Sequence, residues 1–204
     1  MTILVFALLA YLLGSVSFAV VSSWVFKLPD PRTYGSKNPG ATNVLRSGKK
    51  AAAVLTLLGD AGKGWLAVFL AQTYAPVWGL GDEAVAVAAL AVFLGHVFPI
   101  FLRFQGGKGV ATAVGVLLGL NVWLGLLAMA TWLAVAFTWR ISSLSALIAA
   151  VLAPLFSVVL LGFEAGTLAV SAMSLLLIWR HRSNIVNLLA GKEGRIGDKK
   201  SPGS

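Results

Sequence analysis

The chain has 204 residues, of which 58% are hydrophobic and only 11% charged, and its formal net charge is +9. Soluble domains carry about 25% charged residues, so this composition excludes an ordinary soluble domain and indicates a membrane protein. The sequence has no cysteine, which excludes disulfides and thiolate metal sites, and no basic soluble module that would bind nucleic acid.

Seven apolar segments follow one another along the chain. A helix needs about 20 mostly apolar residues to cross the hydrocarbon core. The first segment has no basic region before it and no cleavage site after it, so we interpret it as a retained span. The 30-residue stretch that begins at Val110 is too long for one simple span, and Gly119-Leu120-Asn121 offers a turn that divides it. The predicted segments are Thr2–Phe26, Ala51–Ala75, Ala84–Leu102, Val110–Leu120, Asn121–Trp139, Ser143–Gly162 and Ala165–Trp179.

The distribution of charge supports this division. With seven spans, all of the 16 Lys and Arg residues except Lys63 fall on one side, and the other side carries Asp82, Glu83 and Glu164. The positive-inside rule makes the basic side cytoplasmic. The prediction is an all-α polytopic membrane protein with seven transmembrane helices, an outside N-terminus and a cytoplasmic C-terminus. One domain is expected over residues 1–193, followed by a flexible tail over residues 194–204.

The first basic loop carries one candidate anion site. Successive backbone N–H groups in a glycine-bearing turn form a nest for anions, and an arginine fork suits a phosphate. The alternative is a flexible loop whose cations only set the topology. The candidate residues of this loop are Gly35, Ser36, Asn38, Gly40, Thr42, Asn43 and Arg46.

A second candidate site lies directly before the fourth apolar segment, at Gly106, Gly107, Lys108 and Gly109. Free N–H groups and the helix dipole both favour an anion at a helix N-terminus. The loop is not a Walker A motif, because Leu102 stands where that motif needs a glycine and Gly109 where it needs Ser or Thr. The alternative is a helix-entry turn with a lysine that reaches the interface.

The last apolar segment continues into a polar cluster that contains His181 and Asn184. These residues are three apart and share a helix face, where they can bind a hydroxyl group or, at the histidine, take a proton near neutral pH. A basic membrane anchor is the alternative. His96 has no partner that its spacing reveals, and it suits a packed histidine as well as a ligand.

Three further residues are candidates for a functional role because of their positions in the sequence. Asp60 and Lys63 are ionisable groups inside an apolar segment, which suggests a function, although residues three apart also suit a structural pair. Ser143 lies at the cytoplasmic edge and can contact a phosphate, with a helix cap or an interhelical hydrogen bond as the alternative.

Several motifs of other enzyme classes are absent from the sequence. There is no H-E-x-x-H, no G-x-S-x-G and no paired-aspartate metal motif, and neither histidine is followed five residues later by Asp. A site rich in cations and glycines, with no nucleophile or metal ligands, suits an anionic substrate that is already activated.

Taken together, the motifs resemble those of one known family. The segments Gly35–Arg46, Gly95–Thr112 and His181–Ile185, with Asp60-x-x-Lys63-Gly64, are similar to the motifs of the PlsY-type acyl-phosphate:glycerol-3-phosphate acyltransferases, which are bacterial integral membrane enzymes. The resemblance extends over nearly the whole chain, to about Glu193.

The resemblance implies a reaction and roles for these residues. A fatty acyl group would pass from acyl-phosphate to the 1-hydroxyl of glycerol-3-phosphate, giving lysophosphatidic acid and phosphate without cofactor, metal or covalent intermediate. Ser36, Arg46 and Lys108 would hold phosphate, and His181 and Asn184 the glycerol end. The enzyme would sit in the bacterial inner membrane with its site facing the cytoplasm, among membrane lipid. The soluble enzyme that makes acyl-phosphate would be a functional partner.

A transporter or channel for an organic anion is the rival hypothesis. It would explain the basic loops and the intramembrane Asp60 and Lys63. It predicts polar residues along several spans and broken helices in paired positions. Most of these segments are smoothly apolar and their polar groups gather at one edge, which favours chemistry at the interface. A non-catalytic lipid-binding scaffold would not need glycine-rich loops before helices.

Overall fold

A computed structural model describes residues 2–196 of the chain. Over this range the chain is helical between its loops, and no strand occurs. Two short 3-10 turns, Pro76–Trp78 and Ile100–Leu102, accompany the α-helices. The α-helices are α1 (Thr2–Ser15), α2 (Phe18–Val25), α3 (Ala41–Leu45), α4 (Lys50–Tyr74), α5 (Asp82–Val97), α6 (Val110–Leu120), α7 (Val122–Trp139), α8 (Ser142–Leu161), α9 (Ala165–Arg180) and α10 (Arg182–Leu189).

Each predicted apolar segment is helical, which confirms the all-α class. Within residues 2–196, five helical stretches are long and apolar enough to cross a membrane: Thr2–Val25, Lys50–Tyr74, Asp82–Leu102, Val122–Trp139 and Ser142–Leu161. The apolar helices α6 and α9 are shorter, with 11 and 16 residues. Seven crossings, and the side on which each terminus lies, therefore stay predictions.

The long apolar stretch after Val110 divides where the turn was predicted. Asn121 has an extended backbone between α6 and α7, and its Oδ1 accepts hydrogen bonds from the N–H groups of Trp123 (2.9 Å) and Leu124 (3.2 Å). These are the N–H groups that a helix start leaves without partners. Asn121 therefore ends one helix and begins the next.

The first predicted span, Thr2–Phe26, consists of two helices rather than one. The helix breaks at Val16 and Ser17, between α1 and α2. Backbone groups freed by a break inside an apolar environment need other polar partners. Lys63 and Asp60 of α4 supply them.

Glycines allow two pairs of helices to pack closely. In α1 and α5, Cβ atoms at Gly14 and Gly95 would lie within 2.2 Å of backbone oxygens of the facing helix. The pair α4 and α6 meets in the same way at Gly64 and Gly115. Small residues at helix interfaces let backbones approach in membranes. These contacts fix the C-terminal end of α5 and the N-terminal end of α6, which flank the glycine-rich loop.

The polar loops gather at one end of the bundle. Thr42 of α3 lies 3.3 Å from Ser142 at the start of α8, measured between their hydroxyl oxygens. At the C-terminal side, the N–H of Ile196 donates to the carbonyl of Arg140 at 2.6 Å. Hydrogen-bonded structure thus extends to Ile196, the third residue of the predicted flexible tail. The rest of that tail, residues 197–204, lies outside the described residues.

Candidate functional site

The first loop is shaped by the side chain of Asn43, which is buried. Its Oδ1 accepts the N–H of Ser36 at 2.9 Å, and its Nδ2 donates to the carbonyls of Pro31 (2.7 Å) and Tyr34 (3.2 Å). Gly35 has a φ of +58°, and a Cβ there would lie 2.3 Å from Asn43 Oδ1. Only glycine fits this turn, because it needs both a left-handed conformation and the space of a missing side chain.

The turn places Arg46 and Ser36 at the edge of the bundle. Both side chains are exposed, and the Arg46 side chain packs beside Gly35, where a Cβ would lie 3.4 Å from Arg46 Nη1. Arg32 in the same loop is used differently, since its Nη2 pairs with Asp30 Oδ2 at 2.6 Å. Arg46 instead lies close enough to Lys108 to lower the pKa of that lysine.

The glycine-rich loop is held by its backbone. The N–H of Gly107 donates to the carbonyl of His96 at 3.2 Å, and Arg180 Nη2 donates to the carbonyl of Gly106 at 3.0 Å. Side chains do not fit at these glycines, since a Cβ at Gly106 would lie 2.2 Å from the His96 carbonyl oxygen and one at Gly107 would lie 2.2 Å from His96 Nε2. The loop is thus clamped between the end of α5 and the end of α9.

The loop leads directly into the N-terminus of α6. Gly109 is the N-cap residue, with a φ of +89°, and no side chain of residues 2–196 caps the helix. Lys108 precedes it and donates from Nζ to Asn184 Oδ1. Burial lowers the pKa of Lys108, and nearby Arg180 and Arg46 lower it further, while Glu193 raises it. A lysine, two arginines and an uncapped helix N-terminus converge here, as an anion site requires.

His181, at the junction of α9 and α10, presents a hydrogen-bond acceptor. Its side chain is 3% exposed, and its Nδ1 lies 2.8 Å from the carbonyl oxygen of Leu177. A carbonyl only accepts, so Nδ1 carries the proton and Nε2 keeps its lone pair. Burial lowers the pKa of His181 to about 4. The ring is therefore neutral at pH 7, and Nε2 can accept a hydrogen bond from a hydroxyl.

Asn184 joins the lysine to an acidic residue near the C-terminus. Its Nδ2 donates to Glu193 Oε1 at 2.6 Å, and Ser143 Oγ donates to the same oxygen at 2.7 Å. Glu193 thereby fixes which way the Asn184 amide points, with its oxygen toward Lys108. The network Lys108–Asn184–Glu193–Ser143 ties α6, α10 and α8 together.

An apolar crevice opens beside this polar group. It runs between α6, α7, α8 and α9, and begins at Val110, next to Gly109, and at Leu177, one turn before His181. Along α6 it extends to Leu117, which is about 10 Å at the α-helical rise of 1.5 Å per residue. Its walls are rich in alanine and it reaches Trp132 of α7. The apolar crevice and the polar group therefore adjoin at the start of α6.

Comparison with known proteins decides the family. A family model described as glycerol-3-phosphate acyltransferase matches residues 4–191. The chain is 67% identical over 199 residues to a glycerol-3-phosphate acyltransferase of Nitrosospira multiformis, covering 98% of each chain. It is 69% identical over 188 residues to one of Nitrosomonas europaea, covering 92% of this chain and 94% of the relative. The chain belongs to the glycerol-3-phosphate acyltransferase family.

Solved structures agree with this membership. The chain is similar to the crystal structure of PlsY (YgiH), an integral membrane glycerol 3-phosphate acyltransferase, in its glycerol 3-phosphate form, with a TM-score of 0.88 and 36% identity. That match covers 97% of this chain and 96% of the other. The lysophosphatidic acid form of PlsY matches with a TM-score of 0.87 and 35% identity. The PlsY resemblance is confirmed, and the chain is a multi-pass membrane protein.

The structure brings most of the predicted site residues of this acyltransferase together. Lys108, Asn184 and Ser143 are joined through hydrogen bonds, and Arg46 and His181 lie close enough to Lys108 to interact with it electrostatically. Gly106, Gly107 and Gly109 form the adjoining loop. The other predicted residues of the first loop are Ser36, Asn38, Gly40 and Thr42. This loop adjoins the glycine-rich loop, because a Cβ at Gly107 would lie 3.0 Å from the carbonyl oxygen of Pro39.

Two predicted binding residues use their side chains elsewhere. The side-chain amide of Asn43 forms hydrogen bonds with the backbone of its own loop, so its role is to shape the turn. Lys63 is buried in α4 and donates from Nζ to the carbonyl of Val16 at 2.6 Å, with Asp60 Oδ1 at 2.8 Å. Among residues 2–196, no group of three or more His, Asp or Glu side chains is arranged to hold a metal ion.

Two residues of the site were missed from the sequence. Glu193 lies in the polar segment that follows the last helix. No hydrophobic periodicity in the sequence predicts that this segment folds back against the bundle. Arg180 is one of the basic-side cations of the sequence; the structure shows that it contacts the glycine-rich loop and that its buried Nε has no hydrogen-bond partner among the described residues. Its position directly before His181 was the available signal, because the two residues end the same helix.

The protonation of His181 is directly testable. The chain has two histidines, so ¹⁵N-histidine NMR of the protein in nanodiscs resolves both, and a His181→Asn sample assigns them. We expect His181 to stay neutral, with the proton on Nδ1, from pH 8 down to pH 5.5, because its pKa is lowered to about 4. A titration midpoint near 6.5 would contradict the burial and the hydrogen bond described here.

Arg180 and Arg182 form a matched pair for testing the loop clamp. Both guanidinium groups lie over the Trp179 ring, at 5.9 Å and 4.6 Å, but only Arg180 bonds to Gly106. A hydrogen bond from a charged group contributes about 1.5–3 kcal/mol. We therefore expect Arg180→Met to lower kcat/KM about 10- to 100-fold and Arg182→Met to change it less than about threefold. Equal effects of the two substitutions would remove Arg180 from the site.

Proposed function

We propose that the chain transfers a fatty acyl group from an acyl-phosphate to the 1-hydroxyl of glycerol-3-phosphate. The products are lysophosphatidic acid and inorganic phosphate, and the reaction serves phospholipid synthesis. The observation that carries this proposal is the meeting of the Lys108 anion site with the alanine-lined crevice at Val110 and Leu177. An acyl-phosphate has an anionic head and an apolar tail, and the acceptor has a phosphate of its own.

The cations supply binding and charge stabilisation in this mechanism. Arg46, Lys108 and the N–H groups at the start of α6 face the phosphates, and the hydroxyl of Ser36 adds a donor. Nε2 of His181 accepts the hydrogen bond of an acceptor hydroxyl, while Asn184 is oriented by Glu193. Positioning and preorganised charge are able to lower a barrier by several kcal/mol, about 7–11 kcal/mol for orientation alone.

The bond changes need no covalent enzyme intermediate. The 1-hydroxyl oxygen attacks the acyl carbonyl carbon, and the bond between that carbon and the phosphate oxygen breaks. The acyl-phosphate is a mixed anhydride, so inorganic phosphate is a good leaving group. A pKa of about 4 makes His181 a weak base. The hydroxyl proton therefore passes to a substrate phosphate oxygen.

The crevice is proposed to hold the part of the acyl chain nearest the reacting carbonyl. Ala150 of α8 lines it and is 5% exposed, whereas its neighbour Val151 faces outward and is 57% exposed. We expect Ala150→Phe to lower kcat/KM for palmitoyl-phosphate at least tenfold and to leave the KM for glycerol-3-phosphate unchanged, because the ring fills the crevice. Val151→Phe is the control and should match the wild type. An active Ala150→Phe enzyme would place the acyl chain elsewhere.

The membrane setting is part of the proposal. The donor enters from the bilayer and the acceptor from the cytoplasm, across the inner membrane surface of a bacterium, with the basic loops on the cytoplasmic side. The soluble enzyme that makes acyl-phosphate is then the functional partner upstream. Cysteine labelling supplies the test: Lys50→Cys should react from the cytoplasmic side only and Glu164→Cys from the opposite side only.

A donor comparison tests the reaction. Purified protein in lipid receives labelled glycerol-3-phosphate with palmitoyl-phosphate or palmitoyl-CoA, and the lipid product is identified by mass spectrometry. We expect 1-acyl lysophosphatidic acid with palmitoyl-phosphate and none with palmitoyl-CoA. Product formed from palmitoyl-CoA at a comparable rate would overturn the proposed donor.

A further inference from the structure

Three ionisable residues lie in a buried cluster that the proposed mechanism does not use. Asp60, Lys63 and His96 are 1%, 3% and 6% exposed. Lys63 Nζ lies 2.8 Å from Asp60 Oδ1, and His96 Nδ1 lies 3.5 Å from the same oxygen. Ionisable groups inside a membrane protein are costly and need a compensating role. The cluster contacts the break in the first span on one side and the glycine-rich loop on the other.

On one side the cluster binds the break in the first span. Lys63 Nζ donates to the carbonyl of Val16 at 2.6 Å, and the N–H of Phe18 donates to Asp60 Oδ1 at 3.4 Å. These are backbone groups of the break between α1 and α2. The ion pair therefore satisfies polar groups that lipid would leave unpaired.

On the other side the cluster touches the glycine-rich loop. The carbonyl of His96 accepts the N–H of Gly107. A Cβ at Gly107 would lie 2.2 Å from His96 Nε2, so the imidazole edge lies directly against that glycine. His96 Nδ1 is buried and faces Asp60 Oδ1 at 3.5 Å. The ring is thus held between the Asp60 carboxylate and the loop that carries Lys108.

We propose that Asp60, Lys63 and His96 are positioning residues for the anion site. The ion pair is anchored to the broken first span, and His96 transmits that fixed position to Gly107 and hence to Lys108. The inference rests on the proposed function only for the identity of the ligand, glycerol-3-phosphate. The alternative, a cluster that merely stabilises the helix break, predicts a different result in the experiment that follows.

The experiment separates binding from stability. Thermal unfolding of purified variants in lipid is followed with increasing glycerol-3-phosphate, and separately with inorganic phosphate as a probe that needs no turnover. We expect His96→Phe, which keeps a planar aromatic ring and removes both nitrogens, to weaken binding of both probes at least tenfold. His96→Asn keeps a nitrogen that can reach Asp60, and we expect it to recover most of the binding. If His96→Phe lowers only the Tm and leaves binding unchanged, the cluster merely stabilises the helix break and the proposal is overturned.

A control variant is available in the same pair of helices. Ser22 of α2 and Thr56 of α4 share a buried hydrogen bond of 2.6 Å between their hydroxyl oxygens, away from the loop. Thr56→Val should lower the Tm and leave both probe affinities within about twofold of the wild type. If Thr56→Val weakens binding as much as His96→Phe, general loosening explains both variants and the proposal is overturned.

The carboxylate is tested without burying a lone charge. Asp60→Asn combined with Lys63→Gln removes both charges at once, and we expect the same loss of probe binding as in His96→Phe. Normal binding in this double variant would remove Asp60 and Lys63 from the proposal. If the wild type binds both probes but forms no lysophosphatidic acid, the proposed function fails while the positioning proposal is still tested by the binding data.

Discussion

Lys108→Met is expected to lower kcat/KM about 100- to 1,000-fold, the range seen when one preorganised donor to a developing charge is removed. Lys108 lies at the start of α6, partly buried, with Asn184 as its bonded neighbour and Arg46 and Arg180 nearby. Methionine keeps the length and apolar stem of the side chain and removes only the charged head. Steady-state kinetics with palmitoyl-phosphate and glycerol-3-phosphate measure the loss.

Lys50→Met is the matched control for this substitution. Lys50 is exposed at the start of α4 on the same end of the bundle, so its loss removes an equal charge from the surroundings of the site. We expect activity within about twofold of the wild type, since exposed charges are screened over about 8 Å at physiological ionic strength. If Lys50→Met and Lys108→Met were equally damaging, the general basic field rather than one lysine would be responsible.

Gly106→Ala is expected to reduce activity at least 100-fold with the same number of charges in place. The new Cβ would lie 2.2 Å from the carbonyl oxygen of His96 and 2.5 Å from that of Val97. Both are backbone atoms at the end of α5, so the loop has to move, and a small displacement of a positioned group costs about 100-fold. Kinetics and the Tm of the purified variant are measured together.

Gly62→Ala shows what the same substitution does where space is available. Gly62 lies in α4, and a Cβ there meets nothing within 4 Å. Alanine is a better helix former than glycine by about 1 kcal/mol, so we expect an unchanged or slightly higher Tm and full activity. A fully active Gly106→Ala enzyme would show that the clamp on the glycine-rich loop does not set the position of Lys108.

Much of this architecture was predictable because composition and charge report directly on the membrane. The apolar segments are helices, and the predicted division at Gly119-Leu120-Asn121 is a capped helix start at Asn121. The break at Val16 and Ser17 was not predictable from local sequence. It depends on Asp60 and Lys63, more than 40 residues away along the chain, which supply the polar partners.

The site shows the same limit. The sequence predicted an anion site from the glycines before a helix, the lysine and the His–Asn pair, because each residue type has a specific use in such a site. Contacts between side chains of different helices could not be predicted from the sequence. The contact of Glu193 with Asn184 and Ser143 depends on the chain returning to the bundle after α10, and the contact of His96 with Gly107 depends on where α5 ends.

The stoichiometry of phosphate release shows whether this site transfers an acyl group from acyl-phosphate to glycerol-3-phosphate. Purified protein in lipid receives palmitoyl-phosphate with and without glycerol-3-phosphate, and released phosphate and lysophosphatidic acid are both quantified. We expect release only in the presence of glycerol-3-phosphate, one phosphate for each lysophosphatidic acid formed, and no requirement for added metal. A folded sample that binds glycerol-3-phosphate but releases no phosphate, or that releases it at the same rate without the acceptor, would contradict the proposed acyl transfer.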